Sequence, residues 1–185
     1  MLVATMQMGA FSAAEDATER LRRGDPEALA EFISLYQQRL YRFLVRLLQD
    51  RAAAEDVFQQ TWVRVMERIR QYDPSRSFEA WLFTTARNLA IDQLRKRRDV
   101  SLDAPDTFQS HAPDPLDQAI GAERGEMLAA AMAKLPAIHR EVLALRFEEE
   151  MKLEEIAEVV GIPLSTVKSR LHRALEGLRA AMEEK

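Results

Sequence analysis

Between Leu164 and Arg179 the stretch LSTVKSRLHRALEGLR sets Lys168, Arg170, Arg173 and Arg179 among Ser165, Thr166, Ser169 and His172. These side chains are donors: cationic heads suited to phosphate oxygens or guanine acceptors, and hydroxyls suited to either. A second set of the same kind, Arg87, Asn88, Arg95, Lys96, Arg97 and Arg98, follows an aromatic head of Phe78, Trp81 and Phe83. Recognition of a polyanion is the chemistry on offer. Bond-making is poorly supplied. The chain has no cysteine, and its three histidines, His111, His139 and His172, are scattered without the spacing of metal ligands. It has no glycine-rich phosphate loop and no plausible nucleophile beside a base. No catalytic residue, metal, cofactor or small-molecule substrate is therefore expected.

The net charge of −4 argues at first sight against a nucleic-acid binder, but the charges are segregated. Arg76 to Arg98 holds six cations and two anions, and Leu164 to Arg179 holds four cations and one anion. Asp99 to Glu126 holds seven anions and one cation. Two basic islands flank an acidic stretch, and that pattern says more than the average.

The elements that must position these groups are helical. Asp25 suits an N-cap with Pro26 at the first helical position. Leu29, Phe32, Ile33, Tyr36, Leu40, Phe43, Leu44 and Leu47 then recur at helical spacing. The next helix carries Val57, Phe58, Val65, Met66 and Ile69 on one face, with Asp56, Gln60 and Glu67 opposite. Asp73 to Ser77 is turn chemistry, and a third helix follows with Phe78, Leu82, Ala86 and Leu89 at the centre of its buried arc. Trp81 sits at the edge of that arc beside Thr84 and Asn88, open to either packing or an external contact. No segment alternates with period two long enough for a strand. The stretch 99–125, with three prolines and little apolar periodicity, reads as a flexible acidic linker. The fold expected is all-α: two small helical domains joined by that linker, with a lead-in at 1–22, a first domain at 23–98 and a second at 126–185. The longest apolar run, Met127 to Ala133, is far too short for a membrane span. The N-terminus lacks the basic start and apolar block of a secretory signal. A cytoplasmic protein without membrane insertion is expected.

In the second domain, KLEEIAEVVGIPLSTVKSRLHRALEGLR has the layout of a helix-turn-helix. Ile156, Ala157 and Val160 form the inner face of one helix, and Gly161 supplies the left-handed turn. Val167, Leu171, Ala174, Leu175 and Leu178 form a buried stripe on the next. That leaves Ser165, Thr166, Lys168, Ser169, His172 and Arg173 outward, where such a helix enters the major groove. Lys168 and Arg173 suit base edges; Arg170 and Arg179 suit phosphates. The motif alone does not name a function.

Taken in order across the linker, AEDVFQQTWVRVMERI, SFEAWLFTTARNLAIDQLRKRR and STVKSRLHRALEGLR resemble the extracytoplasmic-function (ECF) sigma factors of bacterial RNA polymerase. The resemblance covers about Gly24 to Met182. It implies a polymerase subunit rather than an enzyme, with core RNA polymerase and promoter DNA as partners and an anti-sigma factor as a further one. By the same resemblance Asp56, Gln59, Gln60, Trp62 and Val63 would meet core polymerase, although Trp62 lies at the margin of the apolar arc and could equally be core. Tyr72, Asp73, Ser75, Arg76, Ser77, Trp81, Thr84, Arg87, Asn88, Arg95, Lys96 and Arg97 would serve the −10 element, the loop capturing a flipped base and Asn88 satisfying a base edge. Ser165, Thr166, Lys168, Ser169, Arg170, His172 and Arg173 would serve the −35 element. The linker would either follow a path built for RNA or act as a solvated spacer. One departure from the housekeeping members stands out: the aromatic pair that wedges the duplex open there is replaced by Thr84 and Thr85. The competing reading is a stand-alone helix-turn-helix regulator that binds DNA without polymerase.

Overall fold

Asp25 opens the first long helix as its sequence predicts: the carboxylate accepts from the backbone N–H groups of Glu27 and Ala28, ahead of Pro26. The computed structural model describes residues 17–100 and 122–183, and the expectations that fall on 1–16, on 101–121 and on 184–185 lie outside them. Helix α1 spans Pro26–Leu48, α2 Arg51–Arg68 and α3 Phe78–Val100. The second block holds α4 (Ala122–Ala133), α5 (Ala137–Leu143), a π-helical turn (Ala144–Glu148), α6 (Leu153–Val160) and α7 (Leu164–Glu183). Every regular element among the described residues is helical.

The first block is held by apolar side chains from three directions. Leu40, Phe43, Leu44, Leu47 and Leu48 of α1 meet Ala53, Ala54, Val57 and Val65 of α2 and Leu82, Phe83, Ala86 and Ala90 of α3, all buried. The rings of Phe43 and Phe83 meet edge to face at 5.3 Å. The end of the supposed lead-in joins this core. Residues 17–22 form a helical turn, Leu21 is fully buried, and Arg20 bonds Asp25 at 2.8 Å.

Asp50 caps α2 by accepting from Ala53 N–H at 3.0 Å and also receives Arg97 of α3 at 2.7 Å. The Ala53 N–H first, and then the Arg97 guanidinium, hold its carboxyl below the ordinary value of 3.8. Asp50→Ala is expected to cost about 1 kcal/mol, the usual worth of such a cap. A depressed acid pKa contributes stability that is present above the unfolded value and lost as pH falls through the folded one. Thermal melts of Asp50→Ala and the parent chain should therefore differ at neutral pH and converge in acid. A difference that grows in acid would contradict the assignment.

In the second block Gly161 adopts φ 71° and closes the turn between α6 and α7, a conformation that costs a side-chain-bearing residue. Gly177, inside α7, admits the Leu135 side chain: a Cβ there would lie 3.1 Å from Leu135 Cδ2. Val167 and Ala174 are fully buried and fix the rotation of α7. Leu175, expected in the same stripe, is 40% exposed, because the buried line runs through Val167, Ala174 and the half-buried Leu171 and Leu178. Met66, expected on the inner face of α2, is likewise exposed.

The two blocks also pack on one another, α5 against α1 and α6 against α3. Arg140 of α5 is buried and donates to Leu135 O at 2.5 Å and to Leu47 O at 3.1 Å. It thereby satisfies a carbonyl in the last turn of α1 that has no partner within the helix.

Candidate nucleic-acid interface

The turn between α2 and α3 is fixed by its own side chains. Asp73 accepts from Ser75 N–H at 3.0 Å and from Ser75 Oγ at 2.8 Å. These bonds, the backbone one first, hold its carboxyl below the ordinary Asp range. Tyr72 is buried, and its hydroxyl donates to Arg76 O at 2.5 Å. Asp73, Pro74, Ser75, Arg76 and Ser77 remain exposed. Beside them lies an open hollow of about 400 Å³, whose lining includes Phe32, Tyr36, Tyr72, Arg76, Ser77 and Phe78. Its walls belong to an aromatic cluster in which Phe32 and Phe78 lie 4.5 Å apart and Trp81 lies 5.3 Å from Tyr72. Trp81 is half-buried, packed on Tyr72 and Phe78 with part of its surface outside.

Trp81, Thr84, Thr85, Asn88, Asp92 and Arg95 follow one another along α3 at helical spacing, with exposure rising towards Asn88, Asp92 and Arg95. The threonine hydroxyls are taken up by their own helix: Thr84 Oγ1 donates to Ala80 O at 2.7 Å and Thr85 Oγ1 to Trp81 O at 2.9 Å. Asn88 does not line the hollow. It lies ten residues beyond Phe78, about 15 Å along a helix rising ~1.5 Å per residue. The loop and Asn88 therefore form separate parts of one stripe rather than one pocket. Lys96 is exposed, and Arg97 is bound to Asp50.

On α2, Asp56, Gln59, Gln60 and Val63 are exposed and line a groove of about 300 Å³ with Arg64, Glu67 and Leu89. Trp62, open to either role from the margin of the apolar arc, takes the core side. It is 7% exposed and meets Phe58 edge to face, so it anchors the helix from within. The apolar side chain on the outer face is Val63, 59% exposed.

On α7, Ser165, Lys168, Ser169, His172 and Arg173 are exposed and Thr166 is half-exposed. Ser169 Oγ donates to Thr166 O at 3.1 Å, and His172 lies 3.3 Å from Glu176. Arg87 and Arg170 approach a buried carboxylate. Both reach Glu141 of α5: Arg87 Nε donates to Glu141 Oε1 at 2.5 Å, and Arg170 Nη1 lies 3.9 Å from Glu141 Oε2. Burial pushes the Glu141 carboxyl up, opposed by the two guanidiniums. Nothing in the sequence pointed to this carboxylate, since it sits on a short helix far from both arginines along the chain.

The polar and cationic groups singled out in the sequence thus occupy two surfaces, the turn with α3 and the outer face of α7. Residues 32–100 match Sigma-70 region 2, and residues 131–180 match Sigma-70, region 4. The chain is 32% identical over 177 residues to the ECF RNA polymerase sigma factor SigW of Bacillus subtilis, covering 90% of this chain and 95% of that protein. It is 38% identical over 150 residues to the ECF RNA polymerase sigma factor SigL of Mycobacterium tuberculosis, covering 78% and 83%. The sigma factor RpoE of Bartonella quintana, solved in complex with the anti-sigma factor NepR, superposes with a TM-score of 0.74 at 26% identity, over 84% of this chain and 97% of that one. A likeness that runs through both helical blocks, in this order, makes the chain a member of the ECF sigma factors of RNA polymerase.

Proposed function

We propose that the chain joins core RNA polymerase through the outer face of α2, opens the −10 element along the loop and α3, and reads the −35 element with α7. The observation that carries this reading is the division of polar groups over two separate surfaces, each on the block that matches the corresponding sigma region. On α2 the contacts are Asp56, Gln59, Gln60 and Val63, an apolar centre with a polar rim. In the hollow beside Tyr72 to Ser77 a flipped base would stack on aromatic walls and meet Ser77 and Arg76, repaying the few kcal/mol that flipping costs. Asn88 would take a different nucleotide further along α3, with Arg95, Lys96 and Arg97 following the phosphates. On α7, Lys168 and Arg173 read base edges, helped by Ser165, Thr166, Ser169 and His172.

The domain division that suits these roles is 23–98 and 126–185, widened to take in Leu21 and the helical residues 99–100 and 122–125, with the remainder as the connector. The chain performs no chemistry of its own in this reading; bond formation belongs to the polymerase. We place it in the cytoplasm, and no helix among the described residues is long and apolar enough to cross a membrane. By analogy with RpoE and NepR, a protein anti-sigma factor is a further partner.

Run-off transcription with purified core polymerase on genomic fragments tests the assignment. Transcripts from discrete sites should depend on added protein. Tight duplex binding without any association with core would instead favour a stand-alone regulator.

Thr84→Trp tests the melting step. The native hydroxyl is occupied by the Ala80 carbonyl, so Thr84 offers no stacking surface against duplex steps worth about 1.4 kcal/mol each. The tryptophan variant should open more duplex on promoters with weakened −10 elements, read by fluorescence of 2-aminopurine placed there. Unchanged opening and unchanged promoter stringency would refute the idea.

A further inference from the structure

The hollow beside Tyr72 to Ser77 is larger than the single base it is assigned to hold. Its volume of about 400 Å³ falls in the range of ~300–1,000 Å³ that takes a drug-sized ligand. Phe32 and Tyr36 of α1, Tyr72 of the turn and Phe78 of α3 supply its aromatic surface. Leu35 also lines it while remaining 65% exposed. So do Ala17 and Thr18, which stand at the start of the described residues. The chain that precedes Ala17 therefore departs from the lining of the hollow itself.

That preceding stretch has a composition suited to an apolar hollow. Met1 to Ala14 carries no charged side chain, and Phe11 is the one ring between Met1 and Asp16. Phe11 precedes Ala17 by six residues, a reach of up to ~20 Å, ample for a ring to return over a hollow that Ala17 borders. A base stacked on the aromatic wall alone leaves its other face to water. Flipped bases are held between aromatic or apolar side chains, so that both faces are covered. We propose that Phe11 folds over the hollow and stacks on the second face of the flipped base. It would complete the −10 site from outside the region 2 match at residues 32–100. The inference rests on the assignment of the hollow to base capture, and it adds a nucleotide-binding residue from the N-terminal segment.

The test uses holoenzyme assembled from core polymerase and the full chain. Fluorescent single-stranded oligonucleotides carrying the −10 element of a promoter mapped by run-off transcription are titrated and followed by anisotropy. An abasic substitution moved along the oligonucleotide finds the captured base as the position whose removal weakens binding most. Phe11→Ala should weaken binding of the intact oligonucleotide about fivefold or more, the usual loss of one base–aromatic stack. It should leave binding of the oligonucleotide abasic at the captured position unchanged. Phe11→Tyr, which keeps the ring, should bind as the parent does. Parent-like binding by Phe11→Ala would overturn the inference, as would an equal loss on intact and abasic strands. Tighter binding by Phe11→Ala would overturn it too, since Phe11 would then fill the hollow against the base. The base-capture reading fails by a different result: a parent indifferent to every abasic substitution would remove the captured base, and the place of Phe11 with it.

Discussion

Phe83→Ala is expected to remove about 3–5 kcal/mol of stability, the usual cost of deleting a large buried ring. Phe83 has no exposed surface. One edge meets Phe43 of α1, and the Arg39 guanidinium lies 6.0 Å from the ring centroid. Alanine would leave a cavity between α1 and α3 and withdraw the surface on which Arg39 rests before it reaches Glu149. Against a total stability of about 5–15 kcal/mol, that is a large fraction. It corresponds to a fall of about 6–20 °C in melting temperature for a chain of this size. The control is Phe147→Ala, the same change at a ring 58% exposed, expected to stay within about 0.5 kcal/mol. Melts followed by circular dichroism separate the two. A Phe83→Ala chain that melts within a degree or two of the parent would mean that α3 is not held by this contact.

The local chemistry of the fold was legible in the sequence. Asp25 with Pro26 marked the start of α1, Gly161 marked the turn of the helix-turn-helix, and the four-residue spacing of Phe78, Leu82 and Ala86 gave the buried arc of α3. Helix α2 was harder because small and polar residues take its core positions. Ala53, Ala54 and Thr61 are buried, the last by giving its hydroxyl to Val57 O at 2.7 Å. With so few large apolar residues to fix the arc, Trp62 stayed open between core and contact and Met66 read as core, whereas Trp62 is buried and Met66 exposed. The boundary between the two blocks was not legible at all. Arg39 and Glu149 are 110 positions apart and Arg87 and Glu141 are 54 apart, and no periodicity links charged residues across such distances. In the sequence each is one more exposed ion. Only their convergence on a shared boundary removes them from water. The site divided in the same way: the outer face of α7 followed from Val167 and Ala174, whereas the separation of Asn88 from the loop required the length of α3.

Arg173→Ala should abolish discrimination at one base pair of the −35 element while leaving the rest of the promoter requirement intact. Val167 and Ala174 are fully buried and Arg173 is exposed, so the rotation of α7 carries Arg173 outward on the same face as Lys168 and Ser169. A guanidinium there can donate two bonds to the O6 and N7 acceptors of guanine, a contact worth about 1–3 kcal/mol of discrimination. Its loss should lower run-off transcription from the cognate promoter by about 5- to 150-fold and leave promoters already altered at that base nearly unaffected. Arg179, also exposed on α7 but a turn and a half further on, serves as the comparison. As a phosphate contact its replacement should weaken binding to every sequence alike and reduce the salt dependence by about one unit of slope. Measuring transcription from matched and altered −35 elements over a range of salt distinguishes base reading from charge. If Arg173→Ala behaved as Arg179→Ala is expected to, with uniform loss and a shallower salt slope, Arg173 would be a phosphate anchor, and the reading of the −35 element would fall to Lys168 and the hydroxyls of Ser165, Thr166 and Ser169.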